Sequence, residues 1–376
     1  MEVTRFIPVA IQTLLWGRAA GRCEFSGCNK PLWRSSVTHE PVNIAQKAHI
    51  YSFSADGPRG NSGIHREALN AVENLMLICH ECHQKIDAAI DGGRYSASLL
   101  KSMKHEHERR IELVTGIDPK RKSYIVLYGA NIGSHDAPLS FVGAANAIFP
   151  HRYPASEDAI SLGLQNSAAS ERDGHFFQTE AENLQKQFSR RVRERISDGE
   201  ISHLSVFSLA PQPLLIYLGT LLGDIDQCDV YQLHREPQTW AWPHEPMIPD
   251  FVVSEPDSKR GKPALVLSLS ASIDSKRITS VIGEDVSIWS ITVPHPHNDL
   301  LKSRDQLSQL RTILRLIFDQ IKLMYGGEEV LSIFPAAPVS VCVEVGRVRM
   351  PKADMPWQIY DQVNLLGGFV PALTIL

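Results

Sequence analysis

Six cysteines occur in 376 residues, and four of them fall in two tight pairs within the first 82. Cys23 and Cys28 enclose four residues, and Cys79 and Cys82 enclose two. Such spacings turn the backbone sharply, so that both thiolates of a pair face the same point. Two pairs together supply the four soft ligands of a tetrahedral zinc site. The pattern therefore predicts a structural zinc, closed by Cys23, Cys28, Cys79 and Cys82, that holds an N-terminal module too small for a large core. His80 is the one alternative ligand in reach of the same knuckle. Cys228 and Cys342 stand alone in apolar stretches and read as buried free thiols.

So few cysteines in so long a chain exclude a disulfide scaffold and point to a reducing cytoplasm. The length allows two or three domains, and a chain 43% hydrophobic and 21% charged is that of a globular protein. The formal net charge of −4 argues against a dedicated nucleic-acid coat. It leaves room for an enzyme that meets a few phosphates through a local field. No apolar run has the length of a membrane span, and the N-terminus lacks the pattern of a signal peptide, so no membrane partner is expected.

Along the chain, Ala48-His49-Ile50-Tyr51 ends a strand, and Ser54–Gly63 is a Gly/Pro/Ser loop. A helix is expected to start at Cys79 and run to Ile90, and an amphipathic helix spans 95–115. Gly116–Lys122 marks a boundary, giving domains 1–118 and 119–376. The second begins with the strand Ser123–Gly129. A helix follows over Ala181–Ile196, its far face carrying Arg190, Arg191, Arg193 and Arg195, which reads as a solvated basic surface. Strands at Leu204–Leu209, Cys228–Leu233, Ala264–Leu269, Val286–Val293, Val330–Phe334 and Val339–Val345 alternate with helices at Pro213–Leu222 and Asp299–Tyr325. Apolar strands between amphipathic helices predict an α/β domain with a mainly parallel sheet. Its two βα series, near Ser123 and near Ala264, have the build of two similar halves. In such a fold ligands bind beyond the C-terminal strand ends. That rule selects Leu209, Ala210, Pro211 and Gln212 at a strand-to-helix turn, Arg235, Trp240 and Trp242 after the next strand, and Asn131 and Ser134 after the first.

Two resemblances follow from these residues. Ala48-His49-Ile50, then Asn74-Leu75 through Cys79-His80-Glu81-Cys82-His83, resembles the HNH endonucleases, whose ββα-metal motif is often clamped by a four-cysteine zinc. The resemblance covers about residues 15–90. It implies His49 as the general base on the attacking water, Asn74 as the residue fixing the active-site loop, and His83 as a ligand of a catalytic Mg²⁺ (or Mn²⁺). Many members carry an aspartate ligand where this chain has Ala48, which leaves Glu40, Asp56, His65 and His80 as candidates for the second ligand.

The stretch Ser205–Leu215, with Leu221-Leu222-Gly223-Asp224, Tyr231-Gln232, Arg235 and Thr239-Trp240-Ala241-Trp242, resembles the SAVED family over about residues 120–376. That family is built from two fused CARF-like, Rossmann-related halves and senses cyclic di- or oligonucleotides. The combined fold is thus an α+β zinc-stabilised ββα-metal domain followed by an α/β SAVED domain. The combination implies an effector of CBASS, the bacterial anti-phage system: a cyclic nucleotide binds, subunits assemble as a homo-oligomer, and the HNH modules cut double-stranded DNA in the bacterial cytoplasm. The competing readings are a zinc-knuckle DNA-binding regulator with a small-molecule sensor and no nuclease activity, and a constitutive restriction-like enzyme.

Overall fold

The computed structural model describes residues 5–60, 63–88, 94–131, 139–164, 174–223, 225–243, 250–258, 260–363 and 368–376. The chain divides into two compact units, Met1–Asp118 and Pro119–Leu376.

In the first unit, helix α1 (Val9–Arg18) precedes an antiparallel pair, β1 (Ala45–His49) and β2 (Leu75–Cys79), which leads directly into α2 (His80–Asp87); α3 (Ala97–Thr115) closes the unit. The sequence reading assigned no element to residues 1–15, where α1 forms after Pro8. Strand β2 is Leu-Met-Leu-Ile-Cys, buried at every position, so both of its faces are core. Leu15, Leu32, Ile50, Ile86 and Leu100 pack around it. Strand β1 alternates instead. Ala48 is turned into this core while His49, opposite Leu75, stays half-exposed. Helix α2 is described only to Asp87, and Ala89 and Ile90 lie outside the described residues.

Among the described residues the second unit holds two large sheets and a two-stranded one. In the first, β4 (Tyr153–Pro154), β3 (Lys122–Gly129), β6 (Leu204–Leu209) and β7 (Cys228–Val230) run parallel, and β5 (Ile160–Leu162) also pairs with β3. Helices α4 (Phe141–Ile148) and α5 (Phe176–Phe188) belong to this half, and β8 (His234–Arg235) pairs with β9 (Gln238–Thr239) beyond it. The second sheet has the order β10 (Val252–Ser254), β12 (Val286–Thr292), β11 (Lys262–Ser268), β13 (Leu331–Ala336), β14 (Trp357–Val363), β15 (Gly368–Ile375). Its middle is parallel, but both edges are antiparallel. The sheets are mainly parallel, as expected, with antiparallel strands at the two edges of the second; β10, β14 and β15 were not among the expected strands.

Three helices differ from the sequence reading. Residues Val339–Val345, expected as a strand, belong to helix α10 (Val339–Val348). Its residues Ser340–Arg347 are buried all round, so the β-branched run has no polar face to reveal a helical period. The basic helix begins at Phe176 rather than Ala181, because Phe176 and Phe177 are core, and passes through a π-helical turn (Ser189–Arg193) into α6 (Glu194–Ser197). The long helix α9 (Arg304–Tyr325) starts five residues late, where Ser303 and Gln306 form a reciprocal capping box. Helix α8 (Ser275–Ile282) lies between β11 and β12.

Helices α7 (Gln212–Leu222) and α10 join the halves. Each follows a strand ending in Ala-Pro, Ala210-Pro211 after β6 and Ala337-Pro338 after β13, with each proline extended at the N-cap. Their backbones meet at Gly219 and Gly346. A Cβ on Gly346 would sit 1.9 Å from the Ile216 carbonyl oxygen, and one on Gly219 would sit 2.0 Å from that of Val343. One continuous core, including Val206, Leu214, Leu265, Ile333 and Val343, spans the two sheets. Among the described residues, no helix is long and apolar enough to cross a membrane.

Replacing Gly346 by alanine forces these backbones apart, and should cost about 1–3 kcal/mol by overpacking, read as a lower denaturant midpoint of the second unit. A second expectation concerns acid. His203 is 4% exposed, with Nδ1 2.9 Å from Ser123 Oγ. Burial, aided by the Arg152 and Arg304 charges and opposed by Asp229, lowers its pKa to about 4. Below the ordinary histidine pKa the unfolded chain takes up a proton that the folded chain refuses. Stability is therefore complete above pH about 6.5 and falls as pH drops towards 4; titrating the midpoint against pH should show that slope, and His203→Asn should flatten it.

Candidate functional site

The four predicted thiolates converge. The sulfurs of Cys23, Cys28, Cys79 and Cys82 lie within 4.8 Å of one another, with Cys28 and Cys79 Sγ 3.8 Å apart. A tetrahedral ion with metal–sulfur bonds of about 2.3 Å spaces its ligands about 3.8 Å apart. The donor set thus fits a zinc-type structural ion. The first knuckle is made by Gly27, whose φ of +81° is open to glycine, and by Cys28 N–H donating to the Phe25 carbonyl. The second is the β2–α2 junction, where Cys79 N–H donates to Cys23 Sγ. Between them, buried Glu24 accepts from Leu77 N–H at 2.6 Å and faces Lys104 of α3 at 3.5 Å. Burial pushes the Cys23 thiol up to about 12, and burial with the neighbouring Cys23 raises Cys82 as well. A cation among them favours the ionised form that ligation needs. His80 is exposed and outside the sulfur cluster.

Beside this clamp, the three residues of the proposed catalytic set occupy different elements. His49 ends β1, half-exposed, with Nε2 2.9 Å from Asn70 Oδ1 and its ring edge-on to Phe53. Asn74 is 1% exposed; its Oδ1 accepts from Tyr51 N–H, while Nδ2 donates to the carbonyls of Tyr51 and Leu69. The two bonds to Tyr51 tie down the chain just after His49, and the third ties it to the turn at Leu69. His83 lies on α2 with Nδ1 3.5 Å from Asp87 Oδ2, one helical turn on.

Three residues to which the sequence assigns no functional role complete the arrangement: Arg59, Asn70 and Asp87. The Arg59 guanidinium is 4% exposed and donates to the Ile50 carbonyl at 2.6 Å and the Ile86 carbonyl at 2.8 Å, with Asp87 Oδ1 at 3.3 Å. One side chain thus staples the end of the His49 strand to the end of the His83 helix. Its non-glycine φ of +67°, inside Pro58-Arg59-Gly60, is the local strain that this placement requires. Glu40, Asp56 and His65 are all exposed, and the cysteine group is the one metal-binding cluster of three or more such ligands among the described residues.

In the second unit a crevice of about 620 Å³ opens where β6 and β13 give way to α7 and α10. Leu209, Ala210, Pro211, Gln212 and Arg235 line it, as the sequence rule selected. Gln232, Asn298, Pro335–Val339, Asp361 and Gln362 line it too, and were not selected. The second Ala-Pro step was the available signal for the opposite wall. Gln232 Oε1 accepts from Ser340 Oγ at 2.7 Å, and Gln212 Nε2 donates to the Ala337 carbonyl at 3.2 Å, so each half grips the other's turn. Among the described residues, Gln212 Oε1 is buried without a partner. Trp240 is not in the crevice: it is 6% exposed and packs edge-on against Phe207. Trp242 is half-buried against His234, also off the lining. Asn131 follows β3 but does not appear on the crevice wall, and Ser134 lies outside the described residues.

The model of one family, the SMODS-associated and fused to various effectors sensor domain, SAVED, matches residues 184–375. The chain belongs to the SAVED family. Among solved structures, it is similar to a SAVED/CARF-domain containing receptor, Cap4, of Acinetobacter baumannii with the cyclic trinucleotide 2'3'3'-cAAA, at 12% identity and a TM-score of 0.43. That match covers 78% of this chain and 60% of the receptor. The Cap4 receptor of Moraxella osloensis is similar at 12% identity and a TM-score of 0.42, over 84% of this chain and 71% of its own. This chain therefore spans about 60% of the length of the first of these relatives. No curated protein matches it.

Stripping the ion with a strong chelator is expected to abolish the melting transition of the first unit, since structural zinc supplies about 10 kcal/mol or more in small modules. Cys82→Ala should lower bound metal, measured by elemental analysis of the full chain, from one equivalent to none.

Proposed function

We propose that this protein is a cyclic-nucleotide-activated, metal-dependent endonuclease that cuts double-stranded DNA, with residues 1–118 as an HNH module and 119–376 as its SAVED sensor. The observation that carries the first half is the shared frame of His49 and His83. Asn74 and Arg59 hold the chain after one and the helix of the other, beside a four-cysteine clamp.

In this reading His49 removes a proton from water. Asn70 Oδ1, at 2.9 Å, accepts the N–H of Nε2, so that Nδ1 is the free base of the neutral ring. Asn74 fixes the strand end so that the imidazole does not swing. His83 and Asp87 are two donors on one face of α2, and they suit a Mg²⁺ or Mn²⁺ ion, the carboxylate answering the preference of such ions for oxygen. Such an ion, when bound, supplies neutralisation of charge on the scissile phosphate and departing oxygen. Arg59 limits the freedom of Asp87 and keeps it facing His83. Asp87 takes the place of the ligand that Ala48, turned into the core, does not provide.

The crevice supports the sensing half. Two helix N-termini open onto it, Arg235 adds a cation, and Gln212 Oε1 awaits a donor. Phosphates and base edges of a cyclic di- or oligonucleotide match that set. The paired build of β6–α7 and β13–α10 fits two fused CARF-like halves. Membership of a sensor family described as fused to effectors supports the coupling of the two activities, and with it the role of a bacterial, cytoplasmic anti-phage (CBASS) effector that acts as a homo-oligomer. Cutting both strands takes two active sites, which makes assembly a sensible gate.

The test is plasmid cleavage by the full chain with Mg²⁺ against a panel of cyclic di- and trinucleotides, with subunit mass followed alongside. His49→Ala should lower the activated rate by about 10²-fold or more with zinc content and nucleotide binding unchanged. Cleavage at the parental rate would remove His49 as the base, and nucleotide-dependent DNA binding without scission would favour a regulator instead.

A further inference from the structure

At the other end of α7 and α10 from the crevice lies a larger cavity, about 1110 Å³, still within the second unit. Its described lining carries Arg193, Arg311, Arg315, Arg347, Arg349 and Lys352, and no carboxylate. Most of these cations are already committed. Arg315 is held by Asp354 on both guanidinium arms, Arg347 and Arg311 share Glu344, and Arg193 donates to the Leu221 carbonyl.

Arg349 is different. It is 5% exposed, yet among the described residues its guanidinium has neither a hydrogen bond nor an ion pair, and its Nε is buried without a partner. Its one contact of note is the Trp357 ring, 5.5 Å from the guanidinium carbon. The charge of Asp354 is felt at Arg349, but both oxygens of Asp354 are used by Arg315 and by Met350 N–H, so it gives Arg349 no hydrogen bond. A buried arginine with no hydrogen-bonded anion is costly, and an anion seated against it removes that cost. Burial indeed lowers its pKa. A guanidinium's planar fork matches phosphate in particular. Beside it, Val348, Met350 and Leu316 supply apolar wall, with Met350 and Leu316 more than half exposed.

We propose that this cavity is a second ligand site of the sensor unit, taking a small organic phosphate whose phosphoryl group completes Arg349 and whose body rests on Leu316, Val348 and Met350. It stands apart from the crevice and does not depend on how the crevice is read. One wall comes from the C-terminal ends of the two helices whose N-termini form the crevice and the facing wall from α9, so an occupant here touches the elements that join the halves.

Calorimetric titration of the full chain in metal-free buffer, with ADP and with inorganic pyrophosphate as probes, tests this. Saturable binding is expected, tighter for ADP, and weakened at least tenfold by Arg349→Met but unchanged by Arg235→Ala in the crevice. Lys352→Ala, at the exposed rim, should weaken it severalfold without affecting folding. Equal affinity for the two probes would remove the organic part of the proposal. Absence of binding, equal binding by Arg349→Met, or loss through Arg235→Ala instead would overturn it. Without any anion, Arg349→Met is expected to melt at or above the parental temperature, because a buried unpaired charge is gone; a lower melting temperature would make Arg349 a structural cation and end the proposal.

Discussion

Two helix backbones touch where neither carries a side chain, at Gly219 and Gly346, and the second unit is arranged around that contact. It lets α7 and α10 lie close enough for one core to run through both sheets. It also aligns the two Ala-Pro turns, so that both helix N-termini open onto one crevice and both C-termini onto one basic cavity. A side chain at either glycine would separate the halves and dismantle both places together. The reciprocal hydrogen bonds, Gln232 to Ser340 and Gln212 to Ala337, depend on the same approach and seal its upper end.

The first unit solves a different problem. Its apolar core is built on a single wholly buried strand, β2, and the chain that leads to it from β1 is mostly loop. Cysteines supply what the core lacks, by fixing the start of α2 against the first knuckle. With that junction fixed, the two histidines are placed by ordinary polar groups: the Asn74 amide satisfies three backbone partners, and Arg59 spans from strand end to helix end. These are bonds to backbone, so they set position without depending on the identity of neighbouring side chains.

How much of this was legible in the sequence varied with range. The cysteine pairs could be read because ligand spacing is local, and the long helix α9 could be read because one face stays wet. Helix α10 could not, since a helix buried all round loses its period and its valines imitate a strand. The crevice was half legible. A strand-to-helix turn selects Leu209–Gln212, but the facing Ala337-Pro338 wall is 125 residues further on from Gln212 at the bond that joins them. The tryptophans misled for a related reason: a loop among prolines looks exposed until Phe207 is seen to cover Trp240. Arg59 and Asp87 carry no local signal at all, because their meaning lies in a contact between loop and helix 28 residues apart.

The paired glutamine bonds carry a mechanical consequence. Because each half holds the other's turn at the crevice floor, a ligand arriving there finds no seam to pry open, and the glycine contact behind it resists sliding by even a methyl group. The joined helices act as a strut rather than a hinge. Force applied at one end would pass to the other through the pair as one piece, which favours a shift of the unit as a whole over a change in the angle between its halves.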